Sequence, residues 1–174
     1  MNKLVCLLLL TLWCSNAQAQ PVAFPDSFVG KWKGKLQWVR AGKPIQEFTM
    51  QLHIYPLDSA GMYNWHIIYG DSAKDSRPYV LKVVDIANAH WVIDEKDGIV
   101  LDSYHFGNCL SGAFTVTDNT IVDNYCVEDG KMKVEFFSIK LADKKESGKG
   151  TAEVPKVVSY RIGSYQTGVL TKIN

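Results

Sequence analysis

Polar and apolar side chains alternate along almost the whole chain, and a period of two marks strands with one face buried and one in solvent. Trp32, Gly34, Leu36 and Trp38 alternate with Lys31, Lys33, Lys35 and Gln37. Phe48, Met50, Leu52 and Ile54 alternate with Glu47, Thr49, Gln51 and His53. The same reading predicts strands over residues 62–69, 79–86, 90–94, 99–106, 113–117, 120–127, 132–140, 157–162 and 165–173. Turn-formers separate them: Gly42 and Pro44, Asp58 to Gly61, Asp97-Gly98, Asp118-Asn119 and Asp129-Gly130. Asp-Gly is a strong hairpin signal because type I′ turns need positive φ at both central residues.

No stretch sustains the i, i+3, i+4, i+7 apolar pattern of a long helix; single helical turns fit residues 25–29 or 72–77. Residues 70–77 and the densely charged 142–153, with two glycines, read as exposed loops. Ten or eleven short strands without crossover helices make an antiparallel meander. Such a sheet must fold into a sandwich or close into a barrel to remove its edges. Hairpin follows hairpin with few long return connections, which favours a single antiparallel up-and-down β-barrel of about 8–10 strands.

Residues 1–19 read as an export signal. Lys3 supplies a positive start, residues 4–13 are apolar, and Ala17-Gln18-Ala19 is a small-x-small cleavage site. The apolar run is about half of the ~20 residues that a membrane span requires, and no integral membrane segment is expected. The barrel domain is then residues 20–174, secreted or periplasmic. Removing Lys3 from 19 basic side chains leaves 18 against 18 acidic ones. A neutral domain without a basic block is a poor partner for nucleic acid. Cys6 and Cys14 fall in the signal; Leu12-Trp13 is wrong for a lipid-anchor motif at Cys14. Cys109 and Cys126 remain, and in an oxidising compartment such a pair is most simply a disulfide, two buried thiols being the alternative.

Phe28-Val29-Gly30-Lys31-Trp32 opens the first long strand. It resembles the F-x-G-x-W start of lipocalins and fatty-acid-binding proteins, the calycin superfamily of ligand-holding barrels. The resemblance covers five residues, with the strand count and export signal agreeing over the rest. It departs from the family elsewhere: Asn119 replaces the aromatic of a Thr-Asp-Tyr loop, the Arg-x-Tyr carboxylate clamp is missing, and no long helix follows the strands. The resemblance implies a lipocalin-like barrel in which Gly30 turns the chain into the first strand and Trp32 closes the base. It also implies a cation across Trp32. Arg161, one of three arginines, is the candidate for that cap or for holding a ligand carboxylate.

Trp38, Met50, Trp65, Tyr104, Phe106 and Arg161 are the candidate ligand-binding residues, with Tyr69 and Trp91 adding aromatic surface. They would line a hollow interior or fill a packed one. His53, His66, His90 and His105 have no zinc spacing, so no metal or cofactor is expected. By alternation His66 or His105 could point inward. Asp85, Asp94, Asp102 and Asp123 lie in strand-like runs, and strand ends and the polar outer face account for them. No phosphate loop, nucleophile elbow or dinucleotide fingerprint occurs. The sequence therefore predicts an exported barrel that holds a small apolar ligand non-covalently, leaning away from an enzyme. The alternative is a packed barrel acting through its surface on a protein partner that the sequence does not identify.

Overall fold

The computed structural model describes residues 23–70 and 74–174. The expected signal at residues 1–19 lies outside them. A 3-10 turn at Asp26–Phe28 leads into ten strands: β1 Gly30–Val39, β2 Gln46–Pro56, β3 Met62–Tyr69, β4 Asp75–Asp85, β5 His90–Asp94, β6 Val100–Phe106, β7 Cys109–Val116, β8 Asn119–Glu128, β9 Lys131–Ser147 and β10 Val157–Ile173. Each strand pairs antiparallel with the next, and β1 also pairs with β10, from Lys31↔Ile173 to Val39↔Tyr165. The wall is thus a closed up-and-down barrel without an open edge. Among the described residues no helix is long and apolar enough to cross a membrane.

Odd-numbered strands run from a base, where the 3-10 turn sits, to a mouth. The interior is packed at the base and along the inner faces of β1 and β2. Trp32, Leu36, Met50, Leu52, Ile54, Met132, Val134 and Leu170 are all fully buried, each contributing roughly 1.5–3 kcal/mol. Phe28 closes this end; Trp32 Nε1 donates to the Phe28 carbonyl at 2.7 Å. Phe24 packs edge-on against Phe28 and Trp91 and stacks on His105. Gly30 enters β1 at φ 140°, a conformation that L side chains rarely adopt. A disulfide joins the register partners Cys109 and Cys126 across β7 and β8 near the base.

Four boundaries differ from the sequence reading. β4 begins at Asp75, four residues earlier than expected, so residues 75–77 are strand paired to β3 and neither loop nor helical turn; the first four residues of β4 are exposed and carry no apolar alternation. Residues 157–162 and 165–173 are one strand, because irregularities at Tyr160/Arg161 and Ile162/Ser164 carry the β9 pairing past Gly163. The expected loop at 142–153 is mostly strand. β9 runs on to Ser147 and pairs with Val157, so a hairpin projects beyond the wall. Both faces of that hairpin are exposed, which is why its sequence lacks alternation. β7 begins at Cys109, four residues earlier than expected, its inward Gly112 having broken the apolar pattern.

Candidate functional site: an aromatic cavity with a buried carboxylate

Toward the mouth the interior is hollow. A cavity of about 290 Å³ lies above the packed base, within reach of side chains from β3 to β10. Alternation supplies its lining: Trp65, Ile67 and Tyr69 from β3, Arg77 and Tyr79 from β4, Ile121, Asp123 and Tyr125 from β8. Ile93, Leu101, Phe114 and Phe136 complete an apolar wall, and Glu95, Ser164 and Gln166 add polar atoms. Trp65 and Phe136 both meet Tyr125 edge-on, with centroids at 5.0 and 5.6 Å, an arrangement that fixes ring orientation. Trp65 Nε1 is buried without a well-formed hydrogen bond.

Asp123 is the polar centre of this space. It sits in mid-β8, opposite Gly112 on β7 and Phe136 on β9, and is 7% exposed. Gly112 makes room for it. A Cβ at that position would lie 2.6 Å from Asp123 Oδ1 and 3.3 Å from the Oγ of buried Ser103. Among the described residues no cation pairs with the carboxylate, and burial pushes its pKa up to about 6. Burial raises Tyr69 to about 12, and burial with the nearby Asp123 charge raises Tyr125 well above the usual phenol range. Arg77 stands at the mouth, its guanidinium 4.9 Å from the Tyr69 ring centre. It is held by Asp75 through Nε at 2.9 Å and a second nitrogen at 3.3 Å.

The residues expected to bind ligand are scattered by this geometry. Trp65 lines the cavity. Trp38 lies at the outer mouth, with Phe48, Arg77 and Gln166, under the guanidinium of Arg40. Met50 is fully buried and does not line the cavity, although its register partner Tyr69 does. Tyr104 and Phe106 are 39% and 64% exposed. They share the outward parity of β6, and Tyr104 stacks on His90, whose ring meets Asp102 at 2.6 Å. Arg161 is on the projecting hairpin, 3.2 Å from Asp143, and reaches neither the interior nor Trp32. Lys172 covers Trp32 instead, its Nζ 4.9 Å from the ring centre, because β10 brings Lys172 opposite Trp32 in register. His66 faces outward and meets Ser76 at 2.7 Å. His105 faces inward but at the base, against Phe24, where burial lowers its pKa. Asp94 pairs with Lys82 on the outer wall, and Asp85 with Asn88 in a turn. Asp123 alone of the four strand carboxylates is inside; the outer-face reading of it is corrected.

No family model and no curated protein matches the sequence. Solved structures do match. A DUF3598 family protein of unknown function from Nostoc punctiforme superposes with a TM-score of 0.63 at 9% identity, over 88% of this chain and 51% of that one. The chain thus spans about half the length of the Nostoc protein. Rv2717c from M. tuberculosis superposes with a TM-score of 0.54 at 10% identity, over 85% of this chain and 94% of that one. The likeness is one of fold.

Proposed function

We propose that this chain is an exported ligand-holding barrel of the calycin kind, taking one small molecule non-covalently into the cavity below its mouth. The observation that carries the reading is the division of the interior: packed at the base, hollow and aromatic toward the mouth. A space of about 290 Å³ is at the small end of ligand sites, which run from about 300 Å³ upward. Burying ~200 Å² of apolar ligand surface contributes roughly 5 kcal/mol before the cost of association. The F-x-G-x-W start with Trp32 under a late-strand lysine supports the calycin assignment, and the disulfide supports export to an oxidising compartment.

The test is native mass spectrometry of the protein isolated without detergent from an exporting host, followed by titration with N-phenyl-1-naphthylamine, a neutral fluorescent probe. A non-covalent adduct lost on denaturation, or probe fluorescence abolished by the cavity-filling Leu101→Trp, is the expected result. A bare mass and no probe uptake would overturn the reading.

A further inference from the structure

We infer that the cavity selects an organic cation, a protonated amine on a compact aromatic or apolar body, with Asp123 as its counter-ion and the surrounding rings as its walls. The inference rests on the ligand-holding reading and adds the charge of the ligand to it.

Three observations carry it. First, Asp123 is only 7% exposed, lines the cavity, and has no ion-pair partner among the described residues. A buried carboxylate without a partner is costly, and a site that retains one has its charge available to a ligand. Second, the groups around it are π-faces and edges: Trp65, Tyr69, Tyr125 and Phe136. Aromatic rings attract a desolvated ammonium, adding to the Coulomb attraction instead of competing with it. An anionic ligand would meet Asp123 and Glu95 in the same space. Third, the cation within reach of an anionic ligand is already engaged. Arg77 is bonded to Asp75 through two nitrogens and lies over Tyr69 at the mouth. The cavity lining holds two carboxylates against one guanidinium, and that guanidinium is neutralised from outside the cavity.

Gly112 belongs to the same design. Its missing side chain leaves the space that the Asp123 carboxylate occupies, so the acid stays beside the β7 backbone and the cavity above it stays open. The acid's raised proton affinity agrees with this geometry: a bound ammonium would keep it ionised below about pH 6, where burial alone favours the protonated form.

The experiment uses the full chain and three probes of matched shape: 2-phenylethylamine, 2-phenylethanol and 3-phenylpropanoate, titrated by calorimetry at about pH 7.5 and about pH 5. The amine should bind at least tenfold more tightly than the alcohol at the higher pH, and the propanoate least. The preference should vanish in Asp123→Asn, which keeps the shape and removes the charge, while alcohol binding persists. In the unmodified protein, amine affinity should fall about tenfold at the lower pH, where roughly one-tenth of Asp123 is ionised. This arm needs no variant to fold. Equal binding of all three probes would overturn the cation inference and leave the ligand-holding reading intact. Preference for the propanoate, lost in Arg77→Ala, would overturn it in favour of an anion at the mouth. Uptake of N-phenyl-1-naphthylamine with none of the three probes bound would also overturn it alone. Failure of every probe would overturn both.

Discussion

Asp123 shows how one side chain can be read correctly for its strand and wrongly for its face. A lone acid in a β-run is most often outward, and that rule groups Asp123 with Asp85, Asp94 and Asp102. Yet Ile121, Asp123 and Tyr125 have the same parity, and the two apolar neighbours are enough to turn the acid inward. The missing signal is the partner strand: opposite Gly112 there is space for a carboxylate, and no sequence-local pattern places Gly112 there. The residue carries a stability prediction. The folded chain holds the Asp123 proton up to about pH 6, against 3.8 in the ordinary case. Its contribution to stability is therefore best at low pH and declines as pH rises from 3.8 through 6, flattening above. Asp123→Asn should match the parent near pH 4 and exceed it by up to about 3 kcal/mol near pH 7.5, because each tenfold change in proton affinity is worth roughly 1.36 kcal/mol. Urea unfolding at the two pH values measures this, and a pH-independent difference would contradict a buried ionising acid.

Strands that face a core on one side are legible because burial imposes alternation, and β1, β2, β3, β5 and β8 lie close to where that pattern puts them. The β9–β10 extension is not legible, since exposed faces place no apolar demand on the sequence. Closure between β1 and β10 depends on a detail that hydrophobicity does not encode. A Cβ on Gly34 would lie 2.2 Å from the Val169 carbonyl oxygen, and one on Gly168 2.4 Å from that of Lys35. The two strands approach so closely that only glycine fits. Gly34→Ala should cost about 1–3 kcal/mol or more, read as a lower urea midpoint, because rigid backbone must give way. An unchanged midpoint would mean that the seam is looser than its geometry. At the other side of the wall the Cys109–Cys126 bridge ties β7 to β8 near the base. It closes a loop of about 16 residues, so Cys109→Ala with Cys126→Ala should lose roughly 3 kcal/mol. The melting temperature should fall by about 6–12 °C, with probe uptake retained, since neither cysteine lines the cavity.

The molecule as a whole separates three tasks along one axis. The base supplies stability through a packed core closed by Phe28, the mouth half holds the cavity, and the β9–β10 hairpin projects past both. The barrel class follows from alternation and short turns, but its hollowness does not, because whether inward side chains meet depends on strand number and tilt. Trp65 and Met50 have the same inward parity, and the side of the barrel they come from sets one beside the void and the other in packed core: the cavity is lined from β3 to β10, and β2 lies outside that arc. The hairpin gives a direct test of this separation. Beyond Lys140 and Arg161 its residues lie outside the packed interior, and its Arg161–Asp143 pair is exposed on both sides, worth at most about 1 kcal/mol. Replacing residues 141–160 by Asn-Gly joins the register partners Lys140 and Arg161 through a turn that suits a two-residue hairpin. The shortened protein should melt within about 4 °C of the parent and take up probe with unchanged affinity, since Ser138 and Ser164 at the cavity wall are kept. A large drop in melting temperature would show that the hairpin braces the barrel. Lost uptake at unchanged stability would make it part of the mouth.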